Sequence, residues 1–227
     1  ICEWWRRILR RSKVNSLVIY LVLGIWSLIV LFPLYTMVAN SLKPQKEIFR
    51  NPFALPWPLE FDGFVTAWSD GRNSLFVTLV SLFLIVFLGS LAAYALANWR
   101  SRWSTLIFVF FIAGLMIPIR IGTINLFQIV QALGLTDSVF SLLPVYTAMG
   151  LPIAVFVLTT FIRSIPRELI DAAYVDGASE WRIYVSIILP LVRPALATVI
   201  IFNLIPIWND LWFPLIFIRA EDQRTVI

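Results

Sequence analysis

Two groups of residues in this chain have the types and spacing to do chemistry. The first is the polar stretch from Ser164 to Tyr184, which with its flanks carries Arg163, Arg167, Glu168, Asp171, Asp176, Glu180, Arg182 and Arg193 between two long apolar runs. The second is Asn203, Asn209 and Asp210, set beside Trp208 and Trp212 in the last apolar run. The 227 residues include no His and one Cys, Cys2, which excludes His-based acid–base catalysis, His/Cys metal clusters and an internal disulfide. None of Lys13, Lys43 and Lys46 follows a glycine, so a Gly-Lys-Ser/Thr phosphate loop is also missing. Carboxylates and hydroxyls remain. A membrane enzyme would have to work with these alone.

Short helices would position the first group. Ser164 can cap a helix whose early turns hold Pro166, with its φ already helical, and Glu168, which opposes the positive end of the dipole. That helix runs towards Asp176. Gly177, which tolerates a left-handed conformation, stops or bends it, and Ser179 caps a second helix beginning at Glu180. Ala172 and Ala173 have almost no side chain and would let another protein's backbone approach closely. Glu168 and Asp171, three apart, share a face that can meet Arg or Lys of a partner. A loop helix lying on the bilayer is the other reading. Such helices carry Lys and Arg on the polar face, whereas this one mixes in several acids.

Everything around these groups is apolar. Hydrophobic residues make up 60% of the chain and the mean hydropathy is +0.87, against an apolar share of roughly 45–50% in soluble domains. The chain is therefore read as an integral membrane protein. A helix needs about 20 apolar residues to cross about 30 Å of hydrocarbon. Five runs qualify: Asn15 to Asn40, Ser74 to Asn98, Trp103 to Ile119, Val139 to Ile162, and Pro194 to Ile218. Pro118, Pro144, Pro152 and Pro206 are expected to kink their spans. The fold class is all-α, a polytopic bundle forming one membrane domain over 15–227, with a basic arm over 1–14.

Lys and Arg beside the spans set the orientation. With the N-terminus inside, eleven of the 18 lie on the cytoplasmic side, including Arg6 to Lys13, Arg100, Arg102 and the arginines flanking Asp171; seven lie outside, including Arg120 and Arg219 to Arg224. This places a loop over 164–190 in the cytoplasm and a loop over 41–73 outside. The net charge of +5 reflects that bias, since the only long basic run is Trp4 to Lys13, expected as a juxtamembrane anchor. Pro52, Pro56 and Pro58 stiffen the outer loop, and Phe64, Val65 and Trp68 are expected to form a short helix on the membrane surface. The loop reads as a plain connector or as a docking surface for an external partner. Starting at Ile1, the sequence is expected to be a fragment of a longer chain.

Asp171-Ala172-Ala173, three residues, Gly177, nine residues, Ile187, one residue and Leu189-Pro190 together resemble the signature EAA-x3-G-x9-I-x-L-P of the permease subunits of binding-protein-dependent ABC importers, with Asp for the first Glu. Ser164 to Leu169, Asp176 to Ser179, Asn125 to Gln128, Leu133 to Leu135, Tyr146-Thr147 and Gly150 to Pro152 are similar to the sugar-importing, maltose-type branch. The resemblance covers most of the chain from Asn73 onward. It implies a type I ABC importer permease fold, with five spans visible and a sixth expected to be missing beyond Ile227, without which the permease half is not expected to function.

The resemblance also implies a coupling helix seated in a cleft of a cytoplasmic ATPase, whose closure on ATP rocks the spans from inward-facing to outward-facing. Asp171 would pair with a basic residue of the ATPase, with Glu168 one turn earlier as substitute for its shorter reach. Ala172 and Ala173 would form the contact face, and Gly177 would let two helices fold at the cleft. Ile187, Leu189 and Pro190 complete the signature, Leu189-Pro190 turning the chain into the fifth span. The implied partners are an ABC ATPase dimer, a second permease subunit, an extracytoplasmic solute-binding protein and membrane lipid, with no nucleic acid. No cofactor is expected on this chain; ATP and Mg belong to the ATPase. The implied location is the bacterial or archaeal plasma (inner) membrane, multi-pass, with the N-terminus cytoplasmic.

Polar groups in hydrocarbon tend to line a cavity or mark a site. Neutral sugars are held by amide and carboxylate hydrogen bonds together with aromatic faces, so Asn203, Asn209 and Asp210 are candidates for a substrate pathway. The other reading of Asn203 is a hydrogen bond to a neighbouring span. A self-contained secondary transporter or channel would carry ionisable residues deep in several spans, and only Asp210 approaches that description. An ABC permease for a non-sugar solute is the remaining alternative.

Overall fold

The computed structural model describes residues 2–99, 101–218 and 225. Among them there is helix and turn and no strand. Arg100 and the charged segment Arg219 to Arg224, used above for orientation, lie outside the described residues, as do the side chains of the basic arm. The chain divides into two compact units, Ile1–Trp68 and Ser69–Ile227.

In the first unit, α1 (Cys2–Ser41) contains the whole first apolar run. Its large apolar side chains are exposed on every side from Leu17 to Val38. A helix apolar all round needs lipid or another helix about it. α2 (Gln45–Arg50) follows a turn in which the Lys43 ammonium donates to Asn40 Oδ1 (3.1 Å), the Asn51 carbonyl (2.9 Å) and the Pro52 carbonyl (3.3 Å). Lys43, in the loop over 41–73 read above as external, thus holds its own connector. Phe53 packs back on Phe32, ring centroids 5.5 Å apart.

The boundary between the units falls inside α3 (Asp62–Asn98), 37 residues of helix. Phe64, Val65 and Trp68 are its first turns, not a separate surface helix. After Pro58 no proline interrupts the chain before Pro118, and Asp62 in the first turn suits the helix dipole.

In the second unit, α4 (Arg102–Met116) begins at Ser101, whose hydroxyl accepts the Ser104 N–H (3.1 Å). Pro118 drives Ile117 into an extended conformation, ψ 120°, so the third run stops short of Ile119 as a helix. After an 87° bend the chain resumes through a 3-10 turn, Ile119–Gly122, into α5 (Thr123–Ala132). A second 3-10 turn, Val139–Ser141, leads into α6 (Leu142–Arg163). Pro144 lies in the first turn of α6, where no N–H is needed, and therefore does not kink it.

Beyond α6 come α7 (Arg167–Val175), α8 (Glu180–Ile183), a π-turn (Tyr184–Ile188), α9 (Leu189–Leu191) and α10 (Arg193–Trp208), the last set at 73° to the segment before it. The fifth run is not one helix. Pro206 has no N–H to donate, and the Asp210 carboxylate accepts the Phe213 N–H (3.3 Å), so the chain breaks and restarts as α11 (Trp212–Phe217). Among the described residues three helices are long and apolar enough to cross a membrane, or up to five spans if each bent pair counts as one.

Glycines bring α3, α6 and α10 into contact. A Cβ added at Gly89 would lie 2.7 Å from Ala154 Cβ, and one at Gly150 would collide with Ile85 and lie 2.5 Å from Asn203 Oδ1. Small residues at such crossings let membrane helices approach closely. Two apolar clusters result. One joins Ile85, Ala154, Leu158 and Val199 to Ala173, Ile183 and Ile188 near α7; the other gathers Val77, Val130, Leu142, Tyr146, Phe213 and Phe217 around α11.

Candidate functional site

The loop around α7 is built by local chemistry. Ser164 does not cap α7. Its N–H and its hydroxyl both donate to the Phe161 carbonyl (3.1 and 2.7 Å), closing the end of α6. α7 starts only at Arg167, with Pro166 in the N-cap position, so Ser164 lies two residues ahead of the cap and its hydroxyl is engaged by α6. Pro166 itself precedes the first helical residue, with ψ 130°. Glu168 sits in the first turn, as its charge favours.

α7 ends in a Schellman motif. Gly177 adopts φ +75°, its N–H donates to the Tyr174 carbonyl (3.0 Å), and the Ala178 N–H reaches the Ala173 carbonyl (2.9 Å). The apolar contact that accompanies such a motif is present here, because Ala173 and Ala178 both join the cluster beneath α7. Ser179 then caps α8, accepting the Arg182 N–H at 3.4 Å.

This geometry divides the predicted contact residues. Ala173 is buried, 8% exposed, and cannot form part of an outer contact face. Neighbouring helical residues point about 100° apart, so Ala173 can turn inward while Ala172 stays outside. Glu168, Asp171, Ala172 and Val175 are all exposed, and their spacing puts them on one face of α7. Ile187 is half-buried against the cluster, the neighbouring Ile188 is fully buried, and Leu189 and Pro190 line a groove of about 390 Å³ with Phe83, Phe87 and Arg193. These three therefore shape the turn into α10 and stand apart from the outer face of α7.

The structure also joins residues that sequence reasoning missed. The Glu180 carboxylate accepts hydrogen bonds from two phenols: Tyr174 of α7 on Oε1 and Tyr94 of α3 on Oε2, the latter at 2.6 Å. One turn along each element, Ser90 Oγ and Tyr184 Oη lie 2.7 Å apart. The phenol of Tyr174, and after it that of Tyr94, holds the Glu180 carboxyl below the usual carboxylate range, and the same bond raises Tyr174 above the usual phenol value. No sequence signal marked these partners, which lie 86 and 94 residues apart.

Asn203, Asn209 and Asp210 line one cavity of about 490 Å³ at the other end of this unit, together with Arg120, Tyr146, Gly150 and Pro206. Asp210 Oδ2 accepts the Tyr146 hydroxyl (2.9 Å) as well as the Phe213 N–H. Buried Asn203 donates to Val199 of its own helix (2.8 Å), not to a neighbouring span, while its Oδ1 faces Gly150. Asn209 donates to the Ile205 carbonyl (2.8 Å). Arg120 lies over the Trp212 ring, 5.6 Å from its centroid, and the indole N–H donates to Thr123 Oγ1 (3.0 Å). The cavity wall thus offers amides, a carboxylate, a guanidinium and an aromatic face. Among the described residues no group of three His, Cys, Asp or Glu side chains gathers as a metal site requires.

Apolar helices long enough to cross a membrane, with a polar cavity lined by Asn203, Asn209 and Asp210, define a multi-pass membrane protein. The chain belongs to the family of binding-protein-dependent transport system inner membrane components, whose model matches residues 85–224. It is 34% identical over 208 residues to the diacetylchitobiose uptake system permease protein NgcG of Streptomyces coelicolor, covering 89% of this chain and 69% of that one. It is 30% identical over 226 residues to the melibiose/raffinose/stachyose import permease protein MelC of Bacillus subtilis, covering 96% and 82%. The fold is similar to that of a bacterial ABC transporter involved in the import of the acidic polysaccharide alginate, with a TM-score of 0.72 and 25% identity over 96% of this chain and 79% of that one. The fold is thus that of a type I ABC importer permease, and the chain is a multi-pass inner membrane protein.

Proposed function

We propose that this chain forms half of the translocation pathway of an ATP-driven carbohydrate importer and is driven through α7 by a separate ATPase. The observation that carries the reading is the outer face of α7, where Glu168, Asp171, Ala172 and Val175 are all exposed on a helix pinned at its end by Gly177 and from beneath by Ala173. Acids flanking a small residue can meet basic groups of the partner while letting its backbone come close. Asp171 is the principal contact and Glu168 the second. The N-terminus and α7 face the cytoplasm, where two ATPase subunits bind ATP and Mg. A second permease completes the pathway, and an extracytoplasmic binding protein delivers the solute. The basic arm over 1–14 precedes a single membrane domain.

Carbohydrate is favoured on two grounds. Relatives are named for diacetylchitobiose, raffinose-type sugars and arabinooligosaccharides. The cavity of Asn203, Asn209 and Asp210 also combines hydrogen-bonding groups with the aromatic rings of Tyr146, Phe202 and Phe213. Affinity purification of the full-length protein from its own membrane tests the proposal. An ATPase and a second permease are expected to accompany it, and uptake of a labelled oligosaccharide is expected to need ATP. Uptake that persists with no ATPase bound would instead identify a self-contained secondary transporter.

A further inference from the structure

The grip between α7 and the spans is narrow. Ala173 is the one buried residue of α7, with Ile170 packing beside it, so a partner pushing on the outer face acts on a helix with little apolar anchorage. The Glu180 carboxylate supplies a second attachment. Ser90 and Tyr94 are one turn apart on α3, Glu180 and Tyr184 are one turn apart on the segment after α7, and they meet in two rungs, at 2.7 Å and 2.6 Å. The free oxygen of the same carboxylate takes the Tyr174 hydroxyl from across the Gly177 turn. Rings reinforce the rungs: Tyr94 lies 5.3 Å from Tyr184, and Trp181 lies 5.4 Å from it on centroids. Hydrogen bonds to an ionised acceptor are roughly twice as strong as neutral ones.

We propose that Glu180 is a positioning residue of energy coupling: by holding Tyr174 of α7 and Tyr94 of α3 on one carboxylate, it makes α7 and the second span move as one body. The inner rung, Ser90 to Tyr184, is buried and keeps the segment against α3, while Glu180 passes the displacement of α7 into it. At Val192, with φ −90° and ψ 9°, the chain turns by 73° into α10. The inference rests on the reading of α7 as the helix that meets the ATPase.

Spin-label distances in the assembled full-length complex test it, with ATP plus vanadate as the probe. One label replaces exposed Arg167 at the start of α7, the other replaces exposed Leu79 on α3, and Cys2 is changed to Ser. In the otherwise unchanged chain the distance is expected to be the same with and without the probe. In Glu180→Gln, Tyr174→Phe and Tyr94→Phe it is expected to shift or broaden on adding the probe. The double variant Tyr94→Phe/Glu180→Gln should do so no more than Glu180→Gln alone, because both act through one carboxylate. A probe-dependent distance in the unchanged chain would overturn the proposal, and so would an unmoved distance in all the variants. The tyrosine variants remove a single hydroxyl and keep the test available if Glu180→Gln does not assemble. Loss of the ATPase from the unchanged chain would sink the reading of α7 itself, a different outcome from either.

Discussion

Gly177 and Gly150 need glycine for opposite reasons, and substitution separates them. Around Gly177 a Cβ would meet nothing within 4 Å, but its φ of +75° is disfavoured for a side chain. Gly177→Ala is expected to cost about 1–2 kcal/mol through the backbone alone, and Gly177→Asn less, because Asn enters the left-handed region more readily. Thermal unfolding in detergent should rank them Gly, Asn, Ala, and ATP-driven uptake should fall in the same order. At Gly150 the backbone is ordinary and the space is missing. Gly150→Ala would drive a methyl into Ile85 and Asn203, an overpacking expected to cost about 1–3 kcal/mol. Here Asn should be worse than Ala, reversing the ranking in the same measurement.

Among elements, the loop of α7 and α8 has the clearest electrostatic signature. Glu180 sits below its usual value of 4.5, so its contribution is present above that pH and lost as pH falls through the lowered value. Tyr174 sits above its usual value of 10.0, so its contribution is present below that pH and lost as pH rises through the raised value. The distance between labels at positions 167 and 79 should therefore be constant from about pH 5 to about pH 9. α11 makes a different demand. Asp210 caps it while receiving Tyr146, so Asp210→Ala should lower both stability and uptake, costing about 1–3 kcal/mol for the unpaired groups. Asn209→Ala, at an exposed position, should change uptake kinetics and leave unfolding unaltered. Equal unfolding losses in the two would make both residues structural.

At the scale of the whole molecule, one apolar cluster supports α7 and another supports the polar cavity around α11. Asp171→Ala should therefore reduce the ATPase recovered with the purified protein, whereas Asn209→Ala should leave that recovery unchanged. Reduced recovery in both would mean that the two ends are not separable. Much of this plan is legible in residue order. Apolar runs mark spans because the cost of bare backbone in hydrocarbon is local and severe. Gly177 and Ser179 mark a helix end and a helix start because caps involve neighbours within a few residues. Local reasoning failed where a second local effect intervened: Pro166 took the cap position of α7 in place of Ser164, and Pro206 with Asp210 broke the fifth run. By itself the sequence determined the all-α membrane class and the signature from Asp171 to Pro190. Only the tertiary structure decided that Ala173 turns inward, that Glu180 joins two tyrosines, and that Arg120 and Tyr146 share a cavity with Asp210. Those outcomes depend on which helix faces approach, 64 residues apart for Tyr146 and Asp210 and 86 for Tyr94 and Glu180, and one helix face carries no label saying what will cover it.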